Sequence, residues 1–233
     1  MRAELERALN GFAVRRLELI PGVRLERLDG VVAALCPALP ELDFVNRIYG
    51  VEGVAELGPL EALYAAEGLR PWVELPEGRE PDGWQRVEPV WVLAGPAAPL
   101  DAEAVREAGP DEAELFAATF CDGNGAPPFA RPPVARWAGE PGWRLYLAEL
   151  DGAPAAAGLL VIEDEIGCLA AASTLEASRG RGCQTALIRR RISDAAAAGC
   201  REVCALTANP ASRRNLERCR LELAYTKTAW RKL

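Results

Sequence analysis

Along the second half of the chain, the spacing of apolar positions shifts from a strand period to a helical one and back. Trp143 to Leu150 reads as a strand, Asp151-Gly152 as a hairpin turn and Ala155 to Ile162 as the returning strand. Ile166 to Thr174 reads as a further apolar strand. Thr185 to Ala198 reads as a helix, with Leu187, Ile188, Ile192 and Ala195 on one face and Arg189, Arg190, Arg191 and Asp194 mostly elsewhere. Gly199 closes that helix as a C-cap. Glu202 to Thr207 reads as a buried strand, Ser212 to Cys219 as a short helix and Thr226 to Leu233 as a terminal strand.

The first half repeats part of this order. Leu60 to Glu67 reads as a helix stopped by Gly68, followed by a strand from Pro71 to Leu75 and a further one from Val90 to Leu93. Ala65-Ala66-Glu67-Gly68-Leu69-Arg70 aligns with Ala196-Ala197-Ala198-Gly199-Cys200-Arg201. An internal duplication explains this match, and chance in an Ala-rich chain explains it as well. Gly95-Pro96-Ala97-Ala98-Pro99-Leu100-Asp101 separates the halves. Asp111 to Ala118 starts a helix, and Cys121 to Trp143, with Pro127-Pro128, Pro132-Pro133, Gly123 and Gly125, reads as an irregular surface loop. Such a loop carries substrate contacts or is a plain connector.

Composition narrows the chemistry. The 233 residues suffice for one large domain or two modest ones, at about 100–200 residues per domain. Half the residues are apolar and 26% are charged, the balance of a globular protein. The net charge of −7 argues against nucleic acid and against anionic membranes as partners. No apolar run approaches the ~20 residues needed to span a bilayer, and Met1 to Arg7 lack a signal-peptide core, so the expected location is cytoplasmic. Seven Cys without a Cys-x-x-Cys pair, and no His, argue against a disulfide framework and against a zinc or other metal site. The missing His also leaves proton transfer to a carboxylate, Tyr, Cys or water.

The chemistry concentrates in Leu175-Glu176-Ala177-Ser178-Arg179-Gly180-Arg181-Gly182-Cys183-Gln184-Thr185, between a strand and a helix. A helix N-terminus presents unpaired N–H groups and a partial positive charge. Gly180 and Gly182 let the backbone approach a pyrophosphate, while Arg179 and Arg181 add charge and donor forks. A Walker loop needs Gly-Lys-Ser/Thr, which is absent, and the Gly-x-Gly-x-x-Gly pattern fails at residue 185. An Arg-rich turn that merely caps a helix is the plain alternative.

Arg179-x-x-Gly182-x-Gln184 after an apolar strand resembles the acyl-CoA-binding motif of the Gcn5-related N-acetyltransferases, Gln/Arg-x-x-Gly-x-Gly/Ala, with Gln184 departing at its last position. The resemblance extends over Trp143 to Leu233 and includes Asn209-x-x-Ser212-x-x-Asn215-Leu216. It implies an α/β fold with a mixed, mostly antiparallel sheet flanked by helices, in two similar halves. It assigns 103–233 to an acyl-CoA-binding domain and 1–100 to a degenerate domain of similar type. It also implies that main-chain groups of Ala172, Ser173 and Thr174 pair with a pantetheine arm and that amides of Gly180, Arg181, Gly182, Cys183, Gln184 and Thr185 hold the pyrophosphate, with Arg179 also among the cofactor-binding residues. Asn209 and Asn215 would touch the cofactor from the far side.

The activity implied is direct attack of an amine on the thioester of acetyl-CoA, with a small-molecule or protein amine as acceptor. Many members place a Tyr at the position of Leu216, as acid for the departing thiolate, and Gly-Phe at Arg220-Leu221. Base candidates are Asp122, Glu149 and the run Glu163-Asp164-Glu165, with no choice among them. Trp137, Trp143 and Tyr225 line a pocket or serve packing. Two other readings stay open: a non-catalytic acetyl-CoA-binding or regulatory module, and an interaction protein in which the loop is only a helix cap. A homodimer is open as an assembly state, and the sequence does not disclose the acceptor or the acyl length.

Overall fold

The computed structural model describes residues 2–102 and 104–233, so Met1 and Glu103, where the two expected domains begin, lie outside the described residues. In chain order the elements are α1 (Arg2–Glu18), β1 (Arg24–Leu28), β2 (Val31–Leu35), β3 (Arg47–Tyr49), α2 (Leu57–Ala66), β4 (Trp72–Pro76), β5 (Trp84–Pro96) and β6 (Val105–Glu107). There follow α3 (Ala113–Asn124), α4 (Arg131–Ala135), β7 (Trp143–Leu150), β8 (Ala153–Glu163), β9 (Ile166–Thr174), α5 (Cys183–Ala197), β10 (Glu202–Thr207), α6 (Pro210–Arg218) and β11 (Glu222–Lys232). The chain divides into two compact units, residues 1–92 with 224–233, and residues 93–223. The terminal strand thus groups with the first unit, where residues 227–231 pair antiparallel with β4. The expected division into 1–100 and 103–233 differs on this point.

In the first unit, β1 and β2 form a hairpin, β2 pairs antiparallel with β3, and β3 runs parallel to β4. The parallel step requires a crossover, which α2 supplies. Leu57, Leu60 and Tyr64 of α2 are spaced so that they share one face, and all three are buried against Ala33, Ile48, Val73 and Leu75 of the sheet. Tyr64 keeps its hydroxyl satisfied in that core by donating to the carbonyl of Ala34 at 2.6 Å. Lys227 and Glu74 are also withdrawn from solvent here, and Lys227 binds Glu6 at 2.7 Å and Glu74 at 3.5 Å, while Glu74 is also paired with Arg47.

In the second unit the strand order is β10-β9-β8-β7-β6. Only the β9–β10 step is parallel, and α5 makes its crossover. The predicted strands at 143–150, 166–174 and 202–207 coincide with β7, β9 and β10. Asp151 and Gly152 take φ of 54° and 77°, the geometry of a two-residue hairpin turn. Leu187, Ile188, Ile192 and Ala195 of α5 are buried, as their spacing predicts. Arg191 is buried beside them, 1% exposed, contrary to its expected place on the outer side of the helix.

The segment 121–143 is not an irregular loop. Cys121 to Asn124 complete α3, and residues 128–139 form short helical turns around α4. Gly123, which reads as a breaker, is instead a point of contact: a Cβ there would stand 2.7 Å from Ser173 Oγ on β9. The prolines at 132 and 133 sit in the first turn of α4, where a missing N–H costs nothing. Trp137 and Trp143 are buried with Phe116 and pack with the half-buried Phe120 in a ring cluster, with centroids 5.3 to 6.2 Å apart, and so pack the core. Tyr225 lies on β11, with the Arg2 guanidinium 4.7 Å from its ring centroid. Among the described residues no helix is long and apolar enough to cross a membrane.

Candidate active site

The second unit opens a cleft of about 900 Å³ between β9 and β10. Its origin is the way the two strands part. Their parallel pairing runs from Ile166↔Glu202 to Cys168↔Cys204 and goes no further. Leu169, Ala171, Ala172, Ser173 and Thr174 on one side, and Ala205, Leu206 and Thr207 on the other, line the cleft beyond that point. On its other edge β9 stays paired with β8 through Thr174↔Ala156. The pairing slips between Gly158 and Leu159, which face Ala172 and Ala170, so that Ala171 is the extra residue of a bulge with φ of 30°.

The Gly-rich segment forms one end of this cleft. Gly182 is the N-cap of α5, with φ of 86°, and no side chain caps the helix. The first intrahelical bond runs from Ala186 N–H to Gly182 O at 3.0 Å, so the amides of Cys183, Gln184 and Thr185 precede the ladder. A Cβ placed on Gly180 or Gly182 would meet no protein atom within 4 Å. The glycines therefore leave open space in front of a run of donors, the form of an anion cradle.

Of the expected cofactor residues, Ala172, Ser173, Thr174, Arg179, Gly180, Gln184, Asn209 and Asn215 come together around the cleft. Ser173 is tied down by donating to the carbonyl of Phe120 at 2.9 Å, and the Thr174 hydroxyl lies 3.5 Å from Gln184 Oε1. Arg179 reaches the carbonyl of Gly123 at 3.4 Å. Arg181, Gly182, Cys183 and Thr185 do not line the cleft: Gly182 stands just behind it as the N-cap of α5, the Arg181 guanidinium pairs with Asp151 at 3.2 Å, and the Cys183 side chain is buried. Burial also pushes the Cys183 thiol up from its ordinary range. Asn209 caps α6, its Oδ1 accepting from the N–H groups of Ala211 and Ser212 at 2.8 and 3.1 Å. Asn215 Oδ1 accepts from Arg218.

The candidate bases separate in space. Asp122 lines the cleft and pairs with Arg131 at 2.5 Å. Glu149 is held by Arg106 at 2.7 Å, away from the cleft, and Glu163, Asp164 and Glu165 lie at the β8–β9 turn. Sequence reasoning did not single out Ile188 and Arg191 of α5, which also line it, while Asn124 and Gly125 at the end of α3 line it from within the 121–143 segment, for which substrate contacts are one of two readings. Leu216 lines it too and is 4% exposed, so no hydroxyl stands at that position.

The first unit has a cleft of about 510 Å³ at the ends of β3 and β4, with a different character. Arg47, Glu74, Lys227 and Glu6 line it and pair among themselves. Where the second unit has its Gly-rich segment, this unit has Glu52 and Glu56, and the Glu56 carboxylate accepts the Glu52 N–H at 3.2 Å. The amide is already taken by the chain's own carboxylate.

Residues 98–214 match the family model of the acetyltransferase (GNAT) domain. No curated protein matches the chain in sequence. Among solved structures, a GCN5-related N-acetyltransferase from Kribbella flavida is 20% identical, with 96% of this chain and 95% of that one covered and a TM-score of 0.67. A protein of Novosphingobium aromaticivorans assigned to the GNAT family is 18% identical, with coverage of 96% and 95% and a TM-score of 0.64. A GCN5-related N-acetyltransferase from Sphaerobacter thermophilus is 17% identical, with coverage of 89% and 82% and a TM-score of 0.58. At these identities the structural likeness speaks for the fold, and the match over half the sequence identifies the lineage. The chain belongs to the Gcn5-related N-acetyltransferase (GNAT) family.

Proposed function

We propose that the protein transfers an acetyl group from acetyl-CoA to an amine, using the cleft of the second unit. One observation carries the reading: an uncapped helix N-terminus behind open glycines stands at the end of a cleft lined by β9 where its pairing with β10 has ceased. The pyrophosphate is held by the amides from Gly180 to Thr185, with Arg179 beside them. The pantetheine arm lies along Ala172, Ser173 and Thr174 as an added strand. Asn209 and Asn215 close the cleft from α6.

The bound thioester supplies an activated acyl carbon. The neutral amine attacks it directly, the C–N bond forms and the C–S bond breaks. Of the five carboxylates considered, Asp122 is the proton acceptor best placed by its position on the cleft. A single cofactor site fits the ionic network and the carboxylate-capped loop of the first unit.

We read the first unit as a degenerate counterpart of the second. Both follow the pairing sequence antiparallel, antiparallel, parallel, from β1 to β4 and from β7 to β10. Both open with an Asp-Gly hairpin, at Asp29-Gly30 and Asp151-Gly152. Their crossover helices end alike, with Leu69 N–H on Tyr64 O and Cys200 N–H on Ala195 O, at 2.9 and 3.0 Å.

Incubation with acetyl-CoA and a panel of small amines and lysine-bearing peptides, read by release of free thiol, tests turnover. Thiol release with at least one amine, above the rate of spontaneous hydrolysis, is the expected result. Leu216 favours a second reading, a module that binds acetyl-CoA without consuming it. Binding without any amine-dependent thiol release across the panel would select that reading.

A further inference from the structure

Three consecutive arginines on α5 meet different fates. Arg189 is exposed, and Arg190 reaches Asp194 at 3.0 Å and the carbonyl of Val105 at 2.7 Å. Arg191 falls in register with Leu187, Ile188 and Ala195 and is carried inside, 1% exposed. Its Nε donates to Leu187 O, and its Nη1 donates to Leu159 O and Ala170 O, each at 3.0 Å. Leu159 and Ala170 face each other across the bulge at Ala171, so the guanidinium fills the irregularity that shapes β9 beside the cleft. Gly158 makes room for it, since a Cβ there would stand 3.1 Å from Arg191 Cζ.

No carboxylate among the described residues neutralises this cation. Asp194, one turn along the same helix, is already bound by Arg144 at 3.2 Å, Arg190 at 3.0 Å and the Tyr146 hydroxyl at 2.8 Å. The titratable groups that face Arg191 are Tyr146 of β7, Cys168 of β9 and Cys219 after α6. Burial, helped by Asp194, pushes the Tyr146 hydroxyl well above its ordinary range, and burial pushes the Cys219 thiol up. Arg191 Nη2 makes no hydrogen bond among the described residues, and Arg191 lines the cleft. A buried cation without a counter-ion is costly to the fold, and here it retains an unused donor on a residue that lines the cleft assigned to acyl-CoA.

We propose that Arg191 is the fixed positive charge that stabilises the coenzyme A thiolate as it leaves. The inference rests on the acetyltransferase reading above. In the step concerned, the amine nitrogen pair forms the bond to the acyl carbon and the C–S pair departs on sulfur. The surplus proton of the amine goes to Asp122 or water. Leu216 offers no proton to the departing sulfur, so the charge persists there until water protonates it. A guanidinium held in place by three carbonyls lowers the energy of that anion without reorganising. Burial pushes Arg191 down to about 10, which leaves it charged at neutral pH.

The test uses the full chain and free coenzyme A as probe. Thiolate absorbance of the complex is followed against pH below 9.5, with the desulfo-coenzyme A complex as the blank for the protein's own thiols. In the wild type the bound thiol should titrate about one unit below free coenzyme A, a tenfold shift of the equilibrium. In Arg191→Met it should titrate at or above the free value, and Arg191→Lys should keep part of the depression. The kcat of Arg191→Met should fall about tenfold, with KM for acetyl-CoA nearly unchanged. A bound thiol that is not lowered in the wild type, or is lowered equally in Arg191→Met, overturns the proposal while leaving the transferase standing. If Arg191→Met does not fold, the wild type and Arg191→Lys decide the matter. Failure of the wild type to bind coenzyme A at all overturns the transferase reading and this inference with it.

Discussion

Replacing Gly182 by glutamate weakens acetyl-CoA binding by about 100-fold or more, equivalent to ~2.7 kcal/mol, and leaves the protein folded. Two effects act together. Gly182 has φ of 86°, where a side chain costs about 1–2 kcal/mol of backbone strain. The new carboxylate also enters the open space before α5 and occupies the donors meant for a pyrophosphate. Its attraction to the helix N-terminus returns about 0.5 kcal/mol, so the melting temperature falls by only a few degrees. Gly182→Ala carries the strain without the charge and should lose much less affinity. Calorimetric titration of both variants, alongside thermal melts, separates the two effects. Unchanged affinity in Gly182→Glu would remove this segment from the site.

The second large effect lies in the first unit. Glu74 stands between Arg47 and Lys227, and both of those cations are largely withdrawn from solvent. Glu74→Ala leaves Arg47 buried without its partner and should cost about 3–5 kcal/mol. The double variant Arg47→Met with Glu74→Leu removes both charges and should recover most of that loss. Burial pushes the Glu74 carboxyl up, but Arg47 and then Lys227 outweigh it, and the group is held below its ordinary value of 4.5. A depressed carboxylate contributes stability above its unfolded value and loses it as pH falls through the folded one. Acid therefore weakens the wild type below about pH 4.5, and the double variant should lack this part of the loss. Denaturant titrations at pH 7 and pH 3.5 check both the size and the sign. A double variant no more stable than Glu74→Ala would show that packing, not charge pairing, decides this site.

Much of the second unit was legible because local and tertiary signals agree there. Trp143 to Leu150, Asp151-Gly152 and Ile166 to Thr174 combine alternation, turn chemistry and clean borders, and β7, the turn and β9 follow them. The Gly-rich segment was legible for a local reason too, since spacing alone places glycines at a helix start. In the first unit, Asp29-Gly30 carries the same turn signal, yet β1 is Arg24-Leu-Glu-Arg-Leu28 and its charged, exposed face obscures the strand. Helix α1 was hidden similarly, because Arg and Glu interrupt the stripe of Leu5, Ala8, Leu9 and Phe12.

Other features depend on what packs against what. Gly123 looks like a breaker until Ser173 is seen against it. Arg191 looks like part of a solvated arginine run, and only the bulge at Ala171 and the space over Gly158 make its burial possible. The parting of β9 and β10 after Cys168↔Cys204 is likewise absent from any pattern of residues, because Leu169 to Thr174 read as one uninterrupted strand.

Titration of the wild-type protein with acetyl-CoA in a calorimeter bears most directly on whether the second unit is an acyl-CoA site. One molecule per chain binding with Kd on the order of micromolar is the predicted result. A folded protein that gives no binding heat at any temperature tried, and no rise in melting temperature at millimolar acetyl-CoA, would contradict it.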